Sequence, residues 1–525
     1  MRLRFLTVWL ALAVPPALGA QVLTPRDSAL HALNRLAYGP RPGEVDSVAR
    51  VGVMRWIEQQ LAFERVPDAL VSQRERDFKL LDYDREELAQ RYGDALRQRR
   101  EMQREMAQSG DTTRARRAGG GPMREFRELG GELQQLAVVR AALSERQLRE
   151  IMVDFWANHF NVFVGKGADR FLTPSYIEET IRPNALGRFE DLLIATAKSP
   201  AMLFYLDNAQ SVAPGSSPPI PLSAMRRGGT QRRVPTGINE NYARELLELH
   251  TLGVDGGYTQ QDVIAVARIF TGWSIDRPQR GAGFAFHEWA HDRGEKQVFG
   301  VRFQGGMEEG VRLLKLLAAH HATMHHVSHK LCARFVSDDP PDGCVDAAVD
   351  AWHRTNGDIR AILRAIFTSP DFWAPQALRA KVKTPLEFVV SAVRAAGAAP
   401  DSTLRLAQVV SRLGQPLYLQ PAPTGYPETQ EQWVNSGALL GRMNAAVALA
   451  AGRLPGASVN LDDLVAATDD HAALVDAVNA RLLSGTMSAH TRAVILAQLA
   501  DVNDPRQART LAVGLALGGP EFQRQ

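Results

Sequence analysis

The stretch Thr384–Gly397 reads TPLEFVVSAVRAAG, and it predicts an α-helix that begins with strong sequence signals. Thr384 and Glu387 have the spacing of a capping box, in which each side chain bonds the backbone N–H of the other residue. Pro385 stands at the first helical position, where its missing N–H costs nothing. The apolar residues that follow recur with helical spacing. This stretch therefore predicts a well-defined helix and favours an α-helical fold.

Helical signals also dominate the rest of the chain. TQQD at Thr259–Asp262 is a second predicted helix start, and DSALHALNRLAYG predicts a helix with Asp27 as its N-cap. Strand-like alternation is confined to Gln297–Phe303, beside a glycine-rich turn. We expect a mainly α protein, formed as one large multi-helix domain with long loops and at most a small β element.

Three stretches interrupt the helical pattern and are expected to be loops or insertions. They are an Arg-rich segment at about 85–127, a Pro/Ser/Gly-rich loop at about 211–237, and a proline-rich loop at Leu419–Thr429. The remainder of residues 21–525 is expected to form a single domain. The composition, with 45% hydrophobic and 23% charged residues, excludes a disordered chain or a coiled-coil rod.

The N-terminal stretch Met1–Ala20 has the features of a signal peptide. Arg2 and Arg4 precede an apolar run that is too short to span a bilayer, and small residues follow it. The alternative is an uncleaved N-terminal anchor. No later stretch is apolar enough to cross a membrane, so we expect an exported protein that is periplasmic, in the outer envelope or secreted.

Charge and cysteine usage fit this expectation. The formal net charge is only +3, and the arginine excess is confined to the segment at 85–127, so we expect no nucleic-acid partner. A contact between this segment and another polyanion is the alternative.

Cys332 and Cys344 flank an Asp/Pro-rich loop, where a disulfide is expected in an oxidising compartment. Two unpaired buried thiols are the alternative.

The densest polar pattern lies within Asn239–Val263. On an ideal helix four residues share one stripe, namely Asn241, Arg244, Glu245 and Glu248. Two carboxylates one turn apart can bind a metal ion or act as acid and base. The alternative is a solvated face with an Arg244–Glu248 ion pair. His250 falls on the opposite side and is expected to be a core residue.

A second candidate is His159, in the block DFWANHFNVF at Asp154–Phe163. Its predicted stripe carries large apolar side chains, and Asn161 lies close by in the sequence. Such a histidine is either a metal ligand or a hydrogen-bonded core residue.

A third pattern, His287-Glu288-Trp289-Ala290-His291, matches the zinc-peptidase motif HExxH. In that motif His287 and His291 would bind zinc and Glu288 would be the base. The motif requires both histidines on one face of a continuous helix. Here the flanking residues leave barely two turns.

Histidines also recur at positions 321, 325 and 329, an i, i+4, i+8 spacing that suits a transition metal. Three solvated side chains without a designed site are the alternative.

Taken in order, several blocks resemble the bacterial family known as domain of unknown function 1800. They are HALNRLAYGPRPGEV, FWANHFNVF, SPAMLFYLDN, NENYARELLELHTLGVDGGYTQQDV with ARIFTGW, HDRGEK, KTPLEFVV, GQPLY and GYPETQEQWVNSGALLGR. The resemblance covers nearly the whole chain after the signal peptide. It implies an exported, mainly helical protein, often encoded beside exported proteins that resemble sulfatases and alkaline phosphatases. It implies no accepted reaction or cofactor.

The resemblance also bears on the candidate sites. His291, Asp292, Gly294 and Lys296 match the family pattern, whereas His287 and Glu288 fall where the family varies. His325 and His329 stand where the family often shows arginine. The resemblance therefore weakens the zinc-peptidase interpretation and implies that the histidine face is particular to this chain.

We combine these patterns in one hypothesis. The predicted polar site would be lined by His159, Glu245, Glu248, His291 and Asp292, around a divalent metal ion. His159 and His291 would be ligands, and a carboxylate would be the base of a hydrolase or modifying enzyme that acts on an extracellular polymer. The first alternative is a non-catalytic envelope protein that assembles with a sulfatase-like partner. The second is the HExxH zinc peptidase.

Overall fold

The computed structural model describes residues 23–109, 123–216, 237–276 and 283–525. The predicted signal peptide at 1–20 lies outside the described residues. So do residues 110–122 of the Arg-rich segment and residues 217–236 of the Pro/Ser/Gly-rich loop. Within the described ranges the predicted fold class is confirmed, because helices dominate and strands form only short pairs.

The helices before residue 270 carry most of the sequence blocks discussed above. They are α1 Pro25–Leu36, α2 Glu44–Val51, α3 Val53–Leu61, α4 Ala69–Glu75, α5 Arg85–Ser109, α6 Arg124–Leu143, α7 Gln147–His159, α8 Asp169–Ser175, α9 Arg182–Asn184, α10 Phe189–Lys198, α11 Pro200–Tyr205, α12 Asn241–Glu245 and α13 Gln260–Ile269. A π-helical turn follows α8 at Tyr176–Ile181, and another follows α12 at Leu246–Thr251.

The later helices complete the fold. They are α14 Met307–Ala318, α15 His321–Phe335, α16 Asp342–Thr355, α17 Ile359–Thr368, α18 Pro385–Ala395, α19 Arg405–Arg412, α20 Ser436–Ala450, α21 Leu461–Leu464, α22 His471–Leu482, α23 Ala489–Leu499, α24 Pro505–Gly518 and α25 Pro520–Gln523. Short 3₁₀ turns lie at Phe63–Arg65, Lys79–Asp82, Asn208–Gln210, Glu288–Ala290 and Gln430–Gln432.

Strands in the described ranges form three antiparallel pairs. β1 Trp273–Ile275 pairs with β2 Phe284–Phe286, β3 Lys296–Val298 with β4 Val301–Phe303, and β5 Ala399–Pro400 with β6 Ala457–Ser458. The predicted β element is confirmed as the β3–β4 hairpin. The other two pairs were not predicted, because their short strands are separated by intervening sequence, whereas β3 and β4 follow one another directly and give one continuous alternating stretch.

The predicted capping boxes at Thr384 and Thr259 are both present. The predicted N-cap Asp27 was wrong, because Thr24 caps α1 and Asp27 is the third helical residue of the same capping box. TPRD at the start of α1 therefore works like TPLE at the start of α18.

Buried apolar residues form one connected core that runs from Ala29 in α1 to Phe522 in α25. The start of the Arg-rich segment belongs to it, since Leu88 and Ala89 of α5 are buried. A disulfide between Cys332 and Cys344 joins α15 to α16. Within the described residues no helix has both the length and the apolar character that a membrane crossing requires.

Candidate functional site

A cleft of about 40 Å³ lies where α7, α15 and α18 meet the segment at residues 415–430, which we call the roof loop. The polar and charged side chains that line it include Asp154, Asn158, Asn161, Arg334, Glu387 and Glu428. This volume admits roughly three water molecules or one small substrate group. We call it the Asp154 cleft.

The Asp154 carboxylate lines the cleft and has no hydrogen bond to any residue in the described part of the chain. Burial raises the pKa of Asp154 to about 7; the Arg334 guanidinium opposes this rise, and the Glu428 and Glu387 carboxylates add to it. A carboxyl group that titrates near neutral pH can both donate and accept a proton. Asp154 therefore has the properties of a general acid–base group.

Arg334 and Glu387 form a buried ion pair at the base of the cleft. The distance from Nη2 of Arg334 to Oε1 of Glu387 is 2.6 Å, and the two side chains are only 8% and 6% exposed. Glu387 also accepts hydrogen bonds from the Thr384 backbone N–H and from the Gln525 side-chain amide. Burial alone would raise the pKa of Glu387, but Arg334 and these donors hold it at about 2. Arg334 is therefore already neutralised and is not free to bind an anion.

The roof loop is held over α7 by two asparagines. The Asn158 side chain donates to the carbonyl of Tyr426 (2.8 Å) and accepts from its N–H (2.6 Å). Asn161 donates to the carbonyls of Gln420 (3.0 Å) and Ala422 (2.8 Å). These amides act as structural ties, so Asn161 holds the roof loop in place.

Gly425 shows how closely the roof loop approaches α7. Its φ is +71°, and a Cβ atom at this position would lie 2.4 Å from the carbonyl oxygen of Asn158. Only glycine combines this backbone conformation with this distance.

Next to the cleft, α15 places the Lys330 amine against His159. Nζ of Lys330 lies 3.0 Å from Nδ1 of His159, and Nε2 of His159 lies 3.2 Å from the backbone carbonyl of His250. A lysine amine donates, so Nδ1 of His159 accepts and its Nε2–H donates to His250. Burial lowers the pKa of both Lys330 and His159. His159 is thus an uncharged acceptor that orients the lysine.

Two more histidines surround His159. The ring centroids of His250 and His326 lie 6.3 and 6.5 Å from that of His159. Burial lowers the pKa of His250 to about 3 and that of His326 to about 4. The structure confirms the predicted core position of His250. With their lowered pKa values, His159, His250 and His326 are all neutral at physiological pH.

The predicted carboxylate stripe spans α12 and the following π-helical turn, largely on the solvent side. Nη1 of Arg244 lies 3.6 Å from Glu248 Oε1, and its Nη2 donates to Gln260 at 2.9 Å. Asn241 is exposed. Glu245 is half-buried, and burial followed by the nearby Glu248 raises its pKa. Arg244 and Glu248 thus form the ion pair that the solvated-face alternative describes.

His291 belongs to a separate buried network beside the β3–β4 hairpin. Its Nε2 lies 2.7 Å from Glu309 Oε1, and its Nδ1 lies 2.8 Å from the carbonyl of Thr271. The Lys296 amine donates to the same Glu309 carboxylate and to the carbonyl of Asp292. These contacts join the hairpin to α14.

The Asp292 side chain pairs with Arg268 of α13. Nε of Arg268 lies 2.7 Å from Asp292 Oδ2. Although burial raises the pKa of Asp292, the hydrogen bonds from Arg268 and the Gly294 N–H and the charges of Arg268 and Lys296 together lower it. Asp292 is therefore charged and already paired.

The HExxH interpretation fails on geometry. Glu288–Ala290 is a single 3₁₀ turn, and both flanking histidines have extended backbones. Glu288 is exposed and pairs with Arg293, while His287 stacks on Trp289. The continuous helix that the zinc motif needs is therefore not present.

The residues of the predicted site thus have separate contacts. His159 touches the Lys330–His250 group, Glu245 lies on the stripe after α12, and His291 and Asp292 belong to the network beside β3. Within the described residues no three or more His, Cys, Asp or Glu side chains are grouped so as to hold a metal ion.

Sequence reasoning missed Asp154, Lys330, Arg334, Glu387 and Glu428. A signal existed in two blocks. Asp154 and Asn158 are four residues apart in DFWAN, and Lys330 and Arg334 are four apart in KLCAR, so each pair presents polar groups on one face of a buried helix. The patterns described above use only His159 and Asn161, which follow the first block, and Cys332 in the second.

The profile of a family described as "Protein of unknown function (DUF1800)" matches residues 31–524. No curated protein matches the chain, and no solved structure does. The match covers the Asp154 cleft, the Lys330–His159 contact and the network around His291.

Proposed function

Because the chain belongs to the DUF1800 family, which is described without a function, we propose an activity from the site alone. We propose that the protein is an exported enzyme that hydrolyses or modifies an extracellular polymer by general acid–base catalysis in the Asp154 cleft. The observation that carries this proposal is the Asp154 carboxyl group, which lines a cleft, lacks a hydrogen bond to the described residues and has a pKa of about 7.

In this proposal Asp154 is the proton donor to the leaving group of the substrate. With a pKa near the working pH, it can release a proton and recover it in each cycle. Lys330 is not among the residues that line the cleft, so the proposal gives it no catalytic role; burial lowers its pKa, and His159 orients its amine beside the cleft. Glu245 and Glu248 have no part in this mechanism.

The cleft favours an uncharged substrate group. It admits only a few atoms, and its cation Arg334 is already paired with Glu387. An anion would therefore meet carboxylates without a free basic partner. A hydroxyl, ester or amide group of a neutral polymer would fit, with the rest of the polymer outside the cleft.

Export is supported by two observations. Met1–Ala20 has the pattern of a signal peptide, and the Cys332–Cys344 disulfide is typical of an oxidising compartment. The described residues contain no helix suited to a membrane span.

The test compares wild type with Asp154→Asn on a panel of neutral polysaccharides, polyesters and peptides, with products detected by mass spectrometry. Glu248→Gln is the matched control, since its carboxylate lies in the solvated Arg244 pair. We expect turnover in wild type and Glu248→Gln, and a loss of at least 100-fold in Asp154→Asn. Equal turnover in Asp154→Asn would refute the proposal. So would an Asp154 carboxyl that titrates near pH 4 in ¹³C NMR.

A second candidate function is the assembly protein with a sulfatase-like partner. It is favoured by three exposed apolar side chains near the roof loop: Val434 (42%), Leu439 (38%) and Leu440 (62%). If this function holds, Leu439→Ser/Leu440→Ser should abolish co-purification with a co-encoded exported sulfatase-like protein. Unchanged co-purification, or none in wild type, would remove it.

A further inference from the structure

The outward face of α15 carries three histidines. His321, His325 and His329 are all exposed, whereas residues between them, such as Met324 and Val327, are buried. They belong to one continuous helix, His321–Phe335, so each lies four residues from the next. This face is separate from the Asp154 cleft, because Lys330 and Arg334 leave the same helix on its other side.

Histidines at i and i+4 of a helix can bind one metal ion together. Four residues advance the helix by about 6 Å and turn it through slightly more than one full turn, so the two rings project from the same side. Neutral imidazole is a preferred ligand of Zn²⁺, Ni²⁺ and Cu²⁺. Burial and the neighbouring His325 lower the pKa of His329, which favours the neutral form. No described residue forms a hydrogen bond with the imidazoles of His321, His325 or His329.

The helix that carries these rings is rigid. Cys332 ties α15 to α16 through the disulfide, and Leu331 and Phe335 are fully buried in the core. Metal binding would therefore not have to fold the helix, so little affinity would be lost to ordering the backbone.

We propose that this face is a binding site for one divalent transition-metal ion, with Ni²⁺, Cu²⁺ or Zn²⁺ as the ligand. The ion is held by two imidazoles, either His321 with His325 or His325 with His329, and water completes its coordination. Both pairs use His325, so only one ion binds in this way. The site is an open two-ligand chelate, which agrees with the absence of any three-ligand group among the described residues.

The shared central residue gives the proposal a specific test. Untagged protein is titrated with Ni²⁺ by calorimetry, together with His321→Gln, His325→Gln and His329→Gln. Loss of either outer histidine leaves one pair, so the association constant should fall only about twofold. Loss of His325 removes both pairs and should weaken binding by tenfold or more.

His353→Gln is the matched control, because His353 is an exposed histidine on the neighbouring helix α16. It should bind like wild type. Circular dichroism of each variant checks that the helix content is unchanged. Wild type that does not bind Ni²⁺, or three variants with equal affinity, would overturn the proposal. This outcome is independent of the proposed enzyme activity, which these variants should leave unchanged.

Discussion

Nζ of Lys330 lies 3.0 Å from Nδ1 of His159, although 171 residues separate them in the chain. The contact joins α15 to α7 beside the Asp154 cleft. Because His159 uses its other nitrogen on the carbonyl of His250, its ring orientation is fixed. The lysine is thus held by an acceptor that carries no charge. Such a contact does little to offset the cost of burying an ammonium group.

Lys330→Met should therefore stabilise the protein at pH 7. The pKa of Lys330 is lower in the folded protein than in the unfolded chain. Its contribution to the free energy of unfolding is therefore fully present only above the pKa of the unfolded chain, and it is lost as pH falls through the folded pKa. At pH 7 the wild type therefore bears the free-energy cost of burying the Lys330 ammonium group, and the variant does not. Chemical denaturation at pH 7 and pH 10 should show a gain that shrinks at the higher pH. A variant less stable than wild type at pH 7 would contradict this.

Asp154→Asn should show the opposite pH dependence. The pKa of Asp154 is raised from 3.8 to about 7 in the folded protein. Its contribution to the free energy of unfolding is therefore complete below about pH 4 and is lost as pH rises through 7. We expect the variant to be more stable than wild type at pH 8 by roughly 1–3 kcal/mol, allowing for partial exposure. The difference should vanish near pH 4. Equilibrium unfolding across this range measures it, and a constant difference would argue against the raised pKa.

His250→Phe should make the protein less sensitive to acid. The folded pKa of His250 is about 3, so its contribution is present above pH 6.5 and is lost as pH falls towards 3. Between pH 7 and pH 5 wild type should lose about 1–2 kcal/mol through this residue. The variant keeps an aromatic ring against Phe160 and should lose less. His353→Phe, on the surface, should follow wild type.

Breaking the buried Arg334–Glu387 pair should be costly. Arg334→Met leaves a buried carboxylate without its partner and should destabilise the protein by roughly 3–5 kcal/mol. Arg334→Met/Glu387→Gln removes both charges and should recover part of this loss. Urea unfolding of the four proteins of this cycle gives the coupling free energy. A double variant as unstable as the sum of the single variants would show that the pair is not coupled.

Gly425→Ala should destabilise the roof loop more than a positive φ alone requires. Gly452→Ala is the control, because Gly452 has a similar φ of +64° with nothing within 4 Å of a Cβ atom. The control should cost about 1 kcal/mol for the backbone strain. Gly425→Ala should cost more, because its methyl group meets the Asn158 carbonyl. Thermal unfolding and limited proteolysis of the roof loop compare them, and equal effects would show that the loop can move away.

The features that the sequence predicted correctly are those that depend on residues close together in the chain. Capping boxes such as that at Thr384 depend on residues three apart, and they predicted helix starts correctly. The stripe at Glu245 could not be interpreted in the same way, because a carboxylate pair that binds a metal ion and a solvated Arg–Glu pair such as Arg244–Glu248 have the same sequence spacing.

The cleft could not be predicted because its parts are distant in sequence. Asp154, Arg334, Glu387 and Glu428 come from four different elements, and each has an ordinary local context. Their chemistry arises from burial and from mutual electrostatics. Hydrophobic spacing shows that α7 and α15 are buried, but not that their polar faces meet.

The hydrogen bond from Gln525 to Glu387 also has a consequence for biosynthesis. Gln525 completes the hydrogen bonds of Glu387, which lines the same cleft as Asp154, a residue that is translated far earlier. At about 5–20 residues per second, the roughly 370 intervening residues take on the order of 20–75 s to synthesise. The nascent polypeptide therefore lacks this hydrogen bond during the whole interval, and the Glu387 carboxylate gains its complete set of donors only after translation has passed Gln525.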